Sequence, residues 1–340
     1  MKKNMTLKDI ANALHISVST VSRALRDNYQ IGDATKQRVL EYAKKHNFVH
    51  NRMARGLKEG KSRTIGVIVC SLDNSYVAQM LDGIDSFCTG KEYQIIIMQS
   101  KELQEQESAC INLLYASGID GLLISPAYQN TDFKQLKNLQ KEGLPIVLFD
   151  RLSKLINTNK VASNNFKGAY DATMHLIHNG FRKIAHINTN TKLSITTERL
   201  NGYREALKES KIPYREDYVH YYDYNKGNLE TIIDHLMTMP DKPNALFTAT
   251  DQITMKCVAI LSKSTYQVPK DLALIGFSNT DMAEAFNPSL TTVYQPAFKI
   301  GKMAAQRLIE NIENPQWNAD FETILLENEI QYRSSTKRVD

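Results

Sequence analysis

The first 45 residues carry apolar positions at helical spacing in three short blocks. Leu7, Ile10, Ala11 and Leu14 share one helix face, Val21, Ala24 and Leu25 a second, and Val39, Leu40 and Ala43 a third. A capping residue precedes each block. Thr6, with Asp9 three residues on, has the form of a capping box; Ser17 suits the second N-cap and Asp33 the third. Only His15 and Ile16 separate the first block from the second cap. The first two blocks therefore predict a helix-turn-helix, and the three together a domain of about 45 residues.

From Thr64 the period changes. Short apolar runs at 65–70, 94–98, 121–125, 146–150, 183–188, 218–222, 245–250 and 272–277 alternate with helix-like stretches of about 10–16 residues. That alternation predicts an α/β core of parallel sheets covered by helices on both faces. Eight units divide into two doubly wound parallel-sheet lobes. Ligands of such sheets bind beyond the carboxyl ends of the strands, here in a cleft between the lobes. A chain of 340 residues is long enough for a head and two lobes.

Charge sharpens this division. Residues 1–63 hold 14 Lys/Arg against 5 Asp/Glu, a net of +9, whereas the remainder holds 28 against 32, a net of −4. A folded basic head on a slightly acidic body is the electrostatic footprint of phosphate binding. In a helix-turn-helix the second helix enters the major groove with its N-terminal residues toward the bases. Those positions are Val18, Ser19 and, one turn on, Arg23. They offer an apolar group for a thymine methyl, a hydroxyl for either base type and a guanidinium for guanine. Thr20, Ser22 and the backbone at Thr6 suit phosphate contacts.

Other classes find little support. No apolar run approaches the roughly 18 residues needed to span a bilayer. The opening Met1-Lys2-Lys3-Asn4 lacks the apolar region of a secretory signal, so a cytoplasmic location is expected. Cys70, Cys88, Cys110 and Cys257 form no C-x-x-C pair and adjoin no histidine cluster. They are expected to be buried thiols, with no metal and no cofactor. P-loop, G-x-S-x-G, H-E-x-x-H and G-x-G-x-x-G motifs do not occur, so no reaction is proposed and an enzyme is not expected. The basic head and missing signal also argue against a stand-alone solute-binding protein.

The run T-L-K-D-I-A-N-A-L-H-I-S-V-S-T-V-S-R-A-L at 6–25 resembles the head of the LacI–GalR family of bacterial repressors, and Ser19-Thr20-Val21-Ser22-Arg23 is its most specific part. Arg199-Leu200-Asn201-Gly202-Tyr203, Ile275-Gly276-Phe277-Ser278-Asn279 and the stretch Pro288 to Pro296 are similar to further family motifs, so the resemblance covers nearly the whole chain. His15 stands where the family usually has Gly, and a positive φ is expected there. Residues 51–58 resemble the family's hinge helix, with His50 in place of the usual Pro. At about eight residues, with Gly56 inside it, this segment is too short to be helical alone in water. The resemblance makes Leu57 a minor-groove wedge, flanked by Asn51, Arg52 and Arg55 on DNA. A plain linker is the alternative.

The resemblance also places an effector among Tyr76, Asp150, Arg199, Tyr224, Thr250, Ser278 and Gln295. Such a set suits a polar small molecule: Arg offers a rigid fork of donors, Asp accepts from paired hydroxyls, and an aromatic face covers a ring. An inter-lobe salt bridge is the alternative for Arg199, and a structural strand-end role for Asp150. Ser278 stands where most relatives have Asp, and Thr250 where many have Asn. The family implies a transcriptional regulator, expected to be a repressor, whose operator affinity is set by a sugar or sugar derivative. An activator or a nucleoside-responsive regulator of the same fold is the alternative.

The expected layout is a DNA-binding head at 1–48, hinge and linker at 49–63, and an effector core at 64–335. Lobe 1 takes 64–161 and 295–323; lobe 2 takes 162–292 and 324–335. A near-palindromic operator read by two heads makes the working unit a homodimer. The apolar faces at 76–87 and 300–309 are candidate dimer surfaces, with core packing as the competing use. The short polar tail after Tyr332 favours a dimer over a tetramer.

Overall fold

The computed structural model describes residues 5–25, 29–46, 48, 61–127, 132–189, 193–224, 226–314, 316 and 320–338. The chain divides into two units, Met1–Ser62 and Arg63–Asp340.

In the first unit, α1 (Leu7–Leu14), α2 (Val18–Ala24) and α3 (Asp33–Lys45) enclose a core of Ile10, Ala11, Val21, Ala24, Val39 and Ala43. The Thr6–Asp9 capping box is formed: the Thr6 amide donates to the Asp9 carboxylate at 2.8 Å, and the Asp9 amide to the Thr6 hydroxyl at 3.3 Å. His15 ends α1 in the left-handed region at φ 55, and the Ile16 amide bonds back to the Ala11 carbonyl at 3.0 Å. This Schellman-type closure makes the turn of the helix-turn-helix. Two details differ from expectation. Gly32, not Asp33, caps α3, because Asp33 already has helical backbone and contributes its charge to the first turn. Leu40 is 51% exposed. It follows Val39 by one residue and so points about 100° round the helix from the buried stripe.

The second unit contains two parallel sheets. The first comprises β1 (Thr64–Val69), β2 (Gln94–Gln99), β3 (Gly121–Ile124), β4 (Ile146–Phe149), β5 (Asn159–Ser163) and β11 (Thr323–Leu326), in the order β2-β1-β3-β4-β5-β11. The second comprises β6 (Ile184–Thr189), β7 (Val219–Tyr222), β8 (Ala245–Thr248), β9 (Ala273–Phe277), β10 (Thr291–Tyr294) and β12 (Glu329–Gln331), in the order β7-β6-β8-β9-β10-β12. Among the described residues, only β12 runs antiparallel to its neighbour, β10. Helices cover both faces, as parallel sheets require. On the first sheet α4 (Ser75–Gly90) and α11 (Ala297–Glu313) lie on one side, and α5 (Gln104–Ala116) and α6 (Lys134–Lys141) on the other. On the second, α7 (Asn165–His178) and α8 (Ser194–Glu209) oppose α9 (Leu229–Thr238) and α10 (Asp251–Leu261).

The chain crosses between the sheets three times, after β5, β10 and β11. Since β11 extends to Leu326 in the first sheet, the last return comes slightly later than the expected 324. The eight apolar runs are all strands, but β5, β10, β11 and β12 were not among them. These four are short and carry Asn, Lys, Thr, Ser, Glu or Gln within them, so periodicity alone does not mark them. The stripes at 76–87 and 300–309 serve the interior. Helices α4 and α11 cross so closely that a Cβ on Gly83 would strike the Phe298 carbonyl and one on Gly301 the Met80 carbonyl. The buried residues of both stripes belong to one core. Among the described residues, no helix is long and apolar enough to cross a membrane.

Candidate functional site

In the head, Val18, Ser19 and Arg23 lie exposed on α2, with Val18 44% accessible despite being apolar. Ser17 caps α2 by accepting from the Thr20 amide at 3.0 Å. Its hydroxyl also lies 2.7 Å from that of Ser19 and 2.8 Å from that of Thr20. Thr6 is exposed at the start of α1, and Thr20 and Ser22 are half-buried on α2. The structure thus gathers Val18, Ser19, Thr20, Ser22 and Arg23 on one seven-residue helix. Asn51, Arg52, Arg55 and Leu57 lie outside the described residues.

In the core, a cavity of about 1090 Å³ opens between the carboxyl ends of the two sheets. Tyr76, Asp150, Arg199, Tyr224, Thr250 and Gln295 all line it. The loop after β4 places Asp150 at φ 64, and the Arg151 amide bonds back to the Phe149 carbonyl at 2.7 Å. This γ-turn is a strained conformation that Asp tolerates better than most residues. It presents the Asp150 carboxylate to Tyr76, whose hydroxyl donates at 3.1 Å, and to Ser125, which donates at 3.0 Å. Burial and the Asp150 charge hold the Tyr76 phenol well above its ordinary pKa, so it remains a donor.

Arg199 comes from the first turns of α8 and is 4% exposed. Its Nε and Nη2 donate to Asn165 Oδ1 at 2.9 and 2.6 Å, its Nη1 donates to the Ala249 carbonyl, and the Phe277 ring lies 3.6 Å beneath the guanidinium. Among the described residues no carboxylate forms an ion pair with it, so the salt-bridge alternative is not realised. Burial pulls its pKa down to about 10. With the Asp150 and Glu198 charges near it but no ion pair formed among the described residues, the guanidinium stays protonated and keeps N–H groups for an arriving acceptor.

Gln295 donates to Ser163 at 2.9 Å, which ties the crossing after β10 to the crossing after β5. Its backbone amide and carbonyl are both bonded to the Asn279 side chain, and Asn279 bonds Gln79 of α4 across the cleft at 2.7 Å. Tyr224 and Thr250 approach at 3.2 Å, and the Thr250 hydroxyl also caps α10. Ser278 does not line the cavity. It is 2% exposed and donates to Asp251, which does line it, and burial raises the Asp251 pKa. The serine is too short to reach the cleft from the end of β9, so it acts behind Asp251.

Four lining or bracing residues escaped sequence reasoning: Ser125, Arg151, Glu102 and Asp251. Arg151 forks onto Glu102 at 2.5 and 2.7 Å and donates to Cys70 Sγ at 3.1 Å. Each of the four follows a strand's carboxyl end within three residues, which is the positional signal that could have found them.

Residues 6–51 match the family model of bacterial regulatory proteins, lacI family, and residues 173–336 that of a periplasmic binding protein-like domain. The chain is 30% identical over 335 residues to catabolite control protein A of Priestia megaterium, spanning 98% of this chain and 100% of that one. It is 30% identical over 337 residues to the ribose operon repressor of Haemophilus influenzae, spanning 97% and 98%. The solved lac repressor dimer bound to operator and the anti-inducer ONPF superposes with a TM-score of 0.83 at 21% identity, over 98% of this chain and 99% of that one, and so shares the fold. A basic helix-turn-helix head, a two-sheet core with a polar cleft, and full-length likeness to these regulators agree: this chain belongs to the lacI family of bacterial regulatory proteins and is a DNA-binding transcriptional regulator with an effector-binding core.

Proposed function

We propose that the protein is a repressor that binds a near-palindromic operator as a homodimer and releases or engages it in response to a sugar or sugar derivative held in the cleft. The observation that carries the effector reading is Arg199, a buried guanidinium without a carboxylate partner among the described residues, on the same cavity as Asp150. Hydroxyls that accept from Arg199 and donate to Asp150, with Tyr224 against a ring face, would satisfy both. Thr250 and Gln295 supply further polar contacts, and Ser278 steadies Asp251. The ribose operon repressor among the relatives supports a sugar.

In the head, Val18, Ser19 and Arg23 read bases, and Thr6, Thr20 and Ser22 hold phosphates. Asn51, Arg52, Arg55 and Leu57 fold onto the minor groove when the operator is bound. The domain layout is 1–48 for the head, 49–63 for the hinge and 64–335 for the core. For the dimer contact the surface to test is the free edge of the first sheet, where Ile96 and Ile97 on β2 are 39% and 40% exposed. The effector acts by its differential affinity for two arrangements of the core, and by no more than that difference.

Selection from a random duplex library followed by a thermal-shift screen of sugars tests the reading. A ligand at 100 times its Kd adds about 2.7 kcal/mol of stability. Recovery of an inverted-repeat site and a sugar that raises the melting temperature are expected. A site without two-fold symmetry rejects the dimer on its operator, and silence across the sugars rejects the effector class.

A further inference from the structure

A second cavity, of about 620 Å³, lies in lobe 2 and shares no lining residue with the cleft. That volume is within the range of small-molecule sites, roughly 300–1,000 Å³. Its walls come from the 3₁₀ turn at Asp281–Glu284, the loop leading into β10, the end of β12 and the C-terminal 3₁₀ turn at Ser334–Thr336. Strand β10 runs from this cavity toward the cleft. At its start Thr291 is bonded to Arg333 and Ser335 of the C-terminal segment; just past its end Gln295 lines the cleft. Four residues of extended chain, about 13 Å, separate the two. The cavities therefore occupy opposite ends of the second sheet.

Arg333 is the best enclosed charge in this cavity, with its side chain 15% exposed. Its Nη1 donates to the Leu290 carbonyl at 2.9 Å and to Thr292 at 3.3 Å, and its Nη2 donates to Gln331 Oε1 at 2.9 Å. All three acceptors are neutral. These bonds tie the end of the chain to β10, a task that needs donors but no charge. They leave Nε and one Nη2 proton without a hydrogen bond among the described residues. One carboxylate approaches, that of Glu284, but it stands 3.7 Å away and is 84% exposed. An exposed carboxylate at that distance is bound weakly and is readily displaced.

The other polar groups of the cavity add donors. Lys337 lines it, is exposed, and forms no ion pair among the described residues. Ser289 donates to Ser334 at 3.2 Å, which leaves the Ser334 hydroxyl proton for a ligand. Two cations and a hydroxyl donor, set against one displaceable carboxylate, match a small dianion. The guanidinium fork fits two oxygens of a phosphate, and an ammonium serves it as a point charge.

We propose that this cavity is a second binding site, which takes the phosphate group of a small phosphomonoester on Arg333, Lys337 and Ser334. It does not depend on the sugar reading of the cleft.

The test is calorimetric titration of the full chain with glycerol 3-phosphate, inorganic phosphate, glycerol and acetate, at fixed ionic strength so that screening is constant. Saturable binding of glycerol 3-phosphate and of phosphate is expected, and none of glycerol or acetate. Lys337→Glu should weaken glycerol 3-phosphate at least about tenfold, because it replaces an attraction with a repulsion. Glu284→Gln should strengthen it by about two- to fivefold, because it removes the competing carboxylate. Both side chains are exposed, so these variants leave the three bonds of Arg333 and the fold intact, and their opposite signs mark the site. Unchanged affinity in both variants places the phosphate elsewhere on the chain and overturns the proposal. So does the absence of saturable phosphate binding. Acetate or a short oligoglutamate peptide binding as tightly as glycerol 3-phosphate would make this a carboxylate or acidic-peptide site and overturn it as well.

Discussion

Arg199 donates two hydrogen bonds to a single oxygen of Asn165, the first residue of α7 and the point where the chain enters the second sheet from β5. The same guanidinium lines the cavity between the two sheets, the site proposed for the effector. A ligand that draws the Arg199 fork toward itself therefore pulls on a crossing between the sheets. Arg199→Ala is expected to lose the effector response while operator affinity without ligand stays within about threefold. Arg199→Lys should also fail, because an ammonium lacks the planar fork that serves Asn165 and a ligand together. Operator binding by fluorescence anisotropy, with and without the effector, reads both; a normal response in either variant rejects the site.

Asp150 combines a ligand-facing carboxylate with a backbone at φ 64. Asn accepts that conformation and Ala does not, at a cost of roughly 1–2 kcal/mol. Asp150→Asn should keep the wild-type melting temperature and weaken the effector at least tenfold, whereas Asp150→Ala should lose stability as well. Thermal unfolding beside ligand titration checks this. Equal stability of the two variants would contradict the backbone argument.

Arg23 is exposed one turn into α2. Arg23→Ala is expected to cost about 1–3 kcal/mol on the selected operator and to relax preference at one base pair per half-site. Repeating the duplex selection with the variant measures it. A uniform loss across all sequences would instead make Arg23 a phosphate contact.

His15 holds φ 55 at the end of α1. His15→Gly should stabilise the head by up to about 1 kcal/mol, since glycine removes the side-chain conflict of this conformation. Hydrogen exchange of the α1 and α2 amides should slow by up to about fivefold.

His186, inside β6, is fully buried between Tyr203 and Phe247. Its Nδ1 donates to the Phe247 carbonyl at 3.1 Å, and its Nε2 has no partner among the described residues. Burial drives its pKa from 6.5 to about 3. The unfolded chain therefore takes up this proton first. The stability it contributes is complete above pH 6.5, falls as the pH drops toward about 3 by up to about 1.4 kcal/mol per unit, and levels off below. His186→Gln should flatten this part of the stability profile in urea unfolding; an unchanged acid slope would contradict it.

The sequence carried the head in detail because capping boxes and short amphipathic helices are local. Thr6, Asp9, Ser17 and His15 each announce their geometry within four residues. The central strands were equally legible from their apolar runs. The strands β5, β10, β11 and β12, on one side of each sheet, were not, because they are short and interrupted by polar residues, and β11 and β12 also pair across long stretches of chain. Family likeness pointed to Tyr76, Asp150 and Arg199, which line one cavity, but it did not point to Arg151 or Asp251, which line the same cavity from loops that meet across it. The same limit hides the depth of Ser278 behind Asp251, which is a tertiary fact, and the share of the α4 and α11 stripes that packs into one core. An apolar face reads alike whether it meets another chain or its own neighbour.

In the proposed mechanism, DNA binding by the head answers to occupation of the Arg199–Asp150 cleft. Its most direct test is operator affinity of the wild-type chain and of Arg199→Ala, measured by anisotropy on the selected duplex across a titration of the effector. A ligand-dependent change of at least about fivefold is expected in the wild type, consistent with coupling of about 1–3 kcal/mol, and none in the variant. An equal change in both proteins, or no preference of the wild type for any duplex sequence, would contradict it.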